Sequence, residues 1–239
     1  MLGDIMSISR MRMASDGRGV STLIAFFDCP LHCRYCINNH CHRSEDPEMQ
    51  MVRGAYTPEQ VIEVVKKDDL YFKMTGGGIV FGGGEPLLQA DFIHEVCSLA
   101  DPAWEKRIET SLFGDWRTFR FLINDIDEWI IDVKDMNNEI YRKYTGERNE
   151  GVLRNLRMLL KRIPSKIILV RLPYIPGYNT YEDIENSKRL LHEMGVTRTD
   201  EFVYEHIRYE KPVKRPKESA GTLGYLRVPN IERQIRERN

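Results

Sequence analysis

Three cysteines within eight residues, Cys29, Cys33 and Cys36, constrain this chain more than any other feature. They follow Val20–Phe27 (VSTLIAFF), an apolar run rich in strand-forming residues, so the motif C-x3-C-x2-C sits on the loop that leaves a strand. Short spacers let the three sulfurs converge, and soft thiolates select iron–sulfur, zinc or Cu(I). Cys41 follows closely and Cys97 stands alone. An odd count, without the apolar segment of a secretion signal, argues against a disulfide framework. A complete [4Fe–4S] set takes four ligands and the motif gives three, which leaves one iron open to a small molecule. The other reading is a structural zinc or ordinary iron–sulfur site, with Cys41 or one of His32, His40 and His42 as the fourth ligand.

Beyond the cysteines, strand-like and helix-like segments alternate. Strands are expected at Val20–Phe27, Gly78–Phe81, Arg107–Leu112, Glu128–Lys134, Lys166–Leu172 and Glu201–Ile207. Helices are expected from Pro58 to about Lys67, with Thr57 as N-cap, and over 89–99, 117–126, 138–144, 151–163 and 181–194. Gly195 closes the last of these. Residues 1–19 read as a polar opening. Six strands alternating with helices imply an α/β fold with a parallel sheet. Six units are fewer than a closed barrel needs, so the expected architecture is an open, partial (β/α)6 TIM-like barrel; a doubly wound sheet is the alternative. Either one places its site at the carboxyl ends of the strands.

Composition narrows the function classes. With 35 Lys+Arg against 36 Asp+Glu in 239 residues, the near-zero net charge argues against non-specific nucleic-acid binding. No apolar run approaches the roughly 20 residues of a membrane helix. A cytoplasmic globular protein is expected, with no nucleic-acid or membrane partner. The basic segment 208–239, nine Lys/Arg against four Asp/Glu, reads as a tail appended to a domain spanning 1–207, for capping or partner docking.

Polar residues gather where the strands end. The second expected strand runs into Gly82-Gly83-Gly84-Glu85-Pro86, whose missing side chains let backbone approach a ligand. That turn lacks the Lys and Ser/Thr of a phosphate-binding P-loop. The third strand ends in Glu109-Thr110-Ser111. Asp132 and Lys134, two apart on the fourth, share one face. Glu109 and Asp132 together favour either a bound cation or one raised pKa. Arg171 ends the fifth strand, and the sixth reaches His206.

The C-x3-C-x2-C loop followed by Gly83-Gly84-Glu85-Pro86 resembles the radical S-adenosylmethionine (SAM) superfamily. Within it the chain is similar to the glycyl-radical-enzyme activating enzymes, the family of pyruvate formate-lyase activating enzyme. The likeness runs from Ser15-Asp16-Gly17-Arg18-Gly19 to about His206, and includes GGGEPLLQADF (Gly82–Phe92), IDVKDMNNEIYRKYTG (Ile131–Gly146) and VRLPYIPGYN (Val170–Asn179). It implies a [4Fe–4S] cluster on Cys29, Cys33 and Cys36. SAM would chelate the open iron and be cleaved reductively to a 5′-deoxyadenosyl radical, which abstracts hydrogen from a glycine of a partner glycyl radical enzyme. Flavodoxin or ferredoxin would donate the electron, and handling would be anaerobic. The resemblance further implies that Tyr35 and Ile37 flank the adenine. Gly83 and Gly84, with Glu85 beside them, meet the SAM amino group. Asp132 and Lys134 contact ribose or carboxylate, and His206 lies near the ribose. A monovalent cation would sit between Glu109 and Asp132, and Arg171 would hold a carbonyl of the substrate peptide.

Two segments depart from the family pattern. Arg18 replaces the proline of its Asp-Gly-Pro-Gly segment, and Glu109-Thr110-Ser111 stands where Asp-Thr-Asn is usual; the longer Glu109 side chain can shift or abolish cation binding. Cys41 and Cys97 read as plain thiols. Two rival functions remain open at this point: a radical SAM enzyme acting on a small molecule or ribosomal peptide, and a non-catalytic iron–sulfur or zinc protein.

Overall fold

The computed structural model describes residues 1–13, 16–42 and 54–203. His206, the division at 207/208 and the basic segment beyond it lie outside the described residues. The sheet has eight strands: β1 (Gly3–Met13), β2 (Val20–Phe26), β3 (Gly54–Tyr56), β4 (Gly78–Gly83), β5 (Glu105–Thr110), β6 (Glu128–Asp132), β7 (Ile168–Tyr174) and β8 (Thr199–Val203). Their order is β3-β1-β2-β4-β5-β6-β7-β8. From β2 through β8 every neighbouring pair is parallel, so the six expected strands form one continuous parallel run. Among the described residues the sheet is open, with β3 and β8 at its edges, as a partial (β/α)6 barrel requires.

Among the described residues, helices follow the first five parallel strands. The chain forms α1 (Pro58–Val65), α2 (Asp69–Thr75), α3 (Ala90–Leu99), α4 (Trp116–Phe119), α5 (Asn138–Thr145), α6 (Glu150–Leu160) and α7 (Tyr181–Glu193). Thr57 caps α1 as expected: its hydroxyl accepts from the Gln60 amide, while the Gln60 side chain accepts from the Thr57 amide. Thr180 and Asp183 repeat the device at α7, and Gly195 follows it at φ +99°.

Three segments differ from their sequence reading. The polar opening is strand β1, antiparallel to both β2 and β3. Register shifts after Ile5 and Ser9, with Met11 at φ +57°, break the two-residue alternation by which a strand is recognised. The first helix stops at Val65, and after a 3-10 turn a separate α2 begins at Asp69. The helix expected over 117–126 is one α-helical turn followed by 3-10 helix.

The pleat separates two kinds of residue. Ile24, Phe26, Ile79, Phe81, Ile108, Ile131, Val133, Val170 and Leu172 belong to one core cluster with Val61, Phe92, Ile93, Val152, Leu156 and Leu191 of the helices. Each such fully buried side chain contributes about 1.5–3 kcal/mol. The alternate positions put Gly82, Glu109, Asp132 and Arg171 on the opposite face, where an apolar strand would have no reason to carry charge.

Candidate functional site

The cysteine loop is fixed at both ends and along its length. Asp28, between β2 and Cys29, has φ +62°, a left-handed conformation that Asp tolerates better than most residues. Its amide donates to the Cys41 carbonyl at 3.1 Å and its carbonyl accepts from the Glu85 amide at 2.8 Å. Between these anchors the amides of His32 and Arg34 donate to the carbonyls of Thr145 and Tyr144, at 2.9 and 3.1 Å. The loop is thereby stitched to the C-terminal end of α5, whose last carbonyls have no partner within the helix.

The glycine turn lies against this loop. A Cβ on Gly84 would stand 2.2 Å from the Asp28 carbonyl oxygen, and Gly83 has φ +95°. Both positions therefore need glycine for backbone reasons before any ligand is considered. The Asn38 side-chain amide donates to the Gly83 carbonyl at 2.8 Å, joining the turn to the far side of the loop. Glu85 is 1% exposed and its carboxylate is committed to protein donors. It accepts from the Thr110 hydroxyl at 2.5 Å, the Ser111 hydroxyl at 2.5 Å, the Ser111 amide at 2.9 Å and the Leu87 amide at 3.2 Å. Burial, against these hydrogen bonds, pushes its pKa up.

A cavity of about 240 Å³ lies at the carboxyl ends of the parallel strands. Cys29, Cys33, Cys36 and the Gly83-Gly84-Glu85 turn line it together with Glu109, Asp132, Lys134 and Arg171. The Lys134 ammonium donates to Asp132 at 2.6 Å. Arg171 Nη1 donates to Glu109 Oε1 at 3.0 Å, and its Nε lies 3.8 Å from Asp200.

The thiols show the cost of holding this set without a bound group. Burial pushes Cys29 up to about 12 and Cys33 up to about 11, Lys134 acting against the latter shift. Cys36 is lowered to about 6, chiefly because the Cys41 thiol donates to it. Burial makes the thiolates of Cys29 and Cys33 unfavourable unless a cation replaces the lost hydration, which iron ligation does. Among the described residues no three His, Cys, Asp or Glu side chains are placed to hold a single metal ion. A cluster does not ask this of them, since each thiolate ligates its own iron. The donor set fits an iron–sulfur cluster.

The sequence-expected residues divide as follows. Cys29, Cys33, Cys36, Ile37, Gly83, Gly84, Glu85, Glu109, Asp132, Lys134 and Arg171 share the one cavity. Ile37 is at its rim and 55% exposed. Tyr35 is not among the lining residues. Its ring meets Tyr144 and Tyr178 edge-on and its hydroxyl donates to the Pro176 carbonyl at 3.3 Å. Cys41 is buried and lines the cavity, whereas Cys97 sits against the core, pushed up to about 12 by burial. Leu31, Asn38, Thr110, Ser111 and Phe202 also line the site. Of these, Thr110 and Ser111 stand beside Glu109 in the sequence; no local pattern distinguishes Asn38 or Phe202.

An open six-stranded parallel run with three thiols, a glycine turn and paired charges at its carboxyl end defines an iron–sulfur enzyme of the SAM-binding kind. The chain belongs to the radical SAM superfamily, whose profile matches residues 23–191. By similarity it sits with activating enzymes. It is 33% identical to the isethionate sulfite-lyase activating enzyme of Desulfovibrio desulfuricans (82% of this chain, 78% of the relative). It is 31% identical to the (2S)-3-sulfopropanediol dehydratase activating enzyme of Klebsiella oxytoca (81% and 78%). The fold resembles that of SuiB from Streptococcus suis, with a TM-score of 0.57 at 13% identity over 82% of this chain. Our chain spans 42% of that structure's length. Among the described residues no helix is long and apolar enough to cross a membrane.

Proposed function

We propose that this protein activates a larger partner enzyme by reductive cleavage of SAM. The 5′-deoxyadenosyl radical so formed takes a hydrogen atom from a backbone glycine of the partner, leaving 5′-deoxyadenosine, methionine and a glycyl radical. The observation that carries this reading is the convergence of Cys29, Cys33 and Cys36 with Gly83, Gly84 and Lys134 on one cavity. When bound to the three cysteines, a [4Fe–4S] cluster supplies the open iron and the electron for SAM cleavage.

The chain's own residues then have distinct tasks. Lys134, buried and held by Asp132, offers a fixed positive charge to the SAM carboxylate, and a point charge suits that group. Asp132 remains half-buried beside the cavity as an acceptor for ribose hydroxyls. The Gly83–Gly84 backbone supports the SAM amino group. Ile37 covers one face of the adenine, and His206 belongs near the ribose by family resemblance. Tyr35, turned toward Tyr144 and Tyr178, stiffens the loop. Arg171 is assigned a carbonyl of the incoming glycine segment by family resemblance. Flavodoxin or ferredoxin supplies the electron, and the setting is cytoplasmic and anaerobic.

The test is anaerobic reconstitution, reduction and addition of SAM, with 5′-deoxyadenosine and methionine quantified by chromatography and Cys33→Ala as control. Cluster-dependent 5′-deoxyadenosine, stimulated by a glycine-containing partner peptide, is the expected result. An intact reduced cluster that neither binds nor cleaves SAM overturns the reading.

A further inference from the structure

The two carboxylates expected to hold a monovalent cation are already neutralised from within. Asp132 of β6 and Arg171 of β7 are register partners. Glu109 of β5 pairs with Ile130, two residues before Asp132 and therefore on the same face. Glu109 and Arg171 thus stand diagonally across β6, and their side chains close that gap with a 3.0 Å contact. Lys134 takes Asp132 at 2.6 Å. Each of these two carboxylates meets a protein cation, Asp200 lies a further 3.8 Å from Arg171 Nε, and an added K⁺ or Na⁺ beside Glu109 would meet the like charge of the guanidinium.

We propose that Arg171 is the resident counter-cation of this cavity, held by Glu109 in the place of a bound monovalent ion, so that SAM binding here is indifferent to K⁺ and Na⁺. The length of Glu109 is what permits it. An aspartate at that position falls short by one carbon–carbon bond, about 1.5 Å, and loses the contact. The electrostatics agree: burial, with Asp132 and Asp16, pushes the Glu109 carboxyl above its usual range, and Arg171 is the group that favours its ionised form. Arg171 acts here as a positioning residue, setting the charge balance beside Asp132 and Lys134.

The inference rests on SAM binding as the function of the cavity, and its test separates the two. SAM affinity of the cluster-loaded protein is measured by anaerobic calorimetry in KCl, NaCl and choline chloride at equal ionic strength. Melting of the cluster-free protein is followed in the same three salts. Wild-type affinity and melting temperature agree across salts, affinity within twofold. Glu109→Asp loses at least fivefold in SAM affinity in choline chloride and recovers it in KCl or NaCl, and unlike wild type it melts higher with the small cations. Arg171→Gln, which leaves Glu109 without that partner, shows the same rescue if Glu109→Asp does not fold. A fivefold weakening of wild type in choline chloride overturns the proposal, as does salt indifference of both variants. Absence of SAM binding in every salt overturns the proposed function instead, and the cluster-free melting series then decides this inference alone.

Discussion

Glu85 offers the sharpest quantitative test, because its carboxylate is buried and every acceptor position is accounted for. Oε1 receives the Thr110 hydroxyl and the Leu87 amide, and Oε2 receives the Ser111 hydroxyl and amide. In Glu85→Gln one oxygen becomes a donor and must face a backbone N–H. The less costly choice is Oε1, where the Leu87 contact is longer, at 3.2 Å, and the Thr110 hydroxyl can turn to accept. One buried amide is left unpaired, at a cost of about 1–3 kcal/mol. Glu85→Ala strips all four donors and opens a cavity. The hydroxyls can turn elsewhere but the two amides cannot, so the loss is about 3–6 kcal/mol. At about 2–4 °C per kcal/mol for a chain of this size, Gln lowers Tm by several degrees and Ala by roughly 6–24 °C. The sign of the pH dependence also follows. Burial holds the folded carboxyl above its usual value, so its share of stability is present below the unfolded pKa of about 4.3 and fades as pH rises through the folded value. The gap between wild type and Gln is therefore wider at pH 5 than at pH 8. Circular-dichroism melts of the cluster-free protein measure all of this. A Glu85→Ala Tm within 1 °C of wild type, or Gln worse than Ala, refutes the reasoning.

Gly84→Ala forces a Cβ to within 2.2 Å of the Asp28 carbonyl oxygen, so the cysteine loop shifts and reconstituted iron content falls by at least half; metal analysis against wild type checks it. Cys33→Ala loses the cluster, whereas Cys41→Ala retains four irons per chain. Equal loss in both would show Cys41 to be a fourth ligand, as its place in the cavity and its hydrogen bond to Cys36 allow. Asp68 is fully buried, and although burial disfavours its charge, hydrogen bonds from Arg10 and Thr22 outweigh this and hold its pKa below the usual range. Its stabilisation is present above the ordinary carboxylate pKa and is lost as pH falls. Asp68→Asn accordingly costs about 1–3 kcal/mol at pH 7 and progressively less toward pH 3, read by urea unfolding.

Most of the parallel run was legible because β2, β4, β6 and β7 are short, largely apolar segments followed by glycine, proline or charge. β1 was not, since its alternation is interrupted at two bulges and its exposed positions carry Ser, Met and Arg. Cluster thiols and glycine turn could be read from spacing, which is a local property. Pairings could not. That Glu109 reaches Arg171, or that Glu85 is spent on Thr110 and Ser111, depends on register between strands far apart in sequence. The glycines illustrate the difference: their position was readable, but the need for Gly84 comes from the Asp28 carbonyl, which no pattern within GGGEP contains.

The hydrogen bonds from His32 and Arg34 to Thr145 and Tyr144 span more than a hundred residues of chain. Until translation has passed Gly146 and α5 has docked, the segment carrying the three thiols lacks the carbonyls that its His32 and Arg34 amides use in the fold. Cofactor loading is therefore a late event in the life of the polypeptide. A nascent chain that has exposed only its first strands presents reactive sulfurs without a seat for iron, and an excised peptide covering Phe26–His42 inherits the ligands but not their geometry.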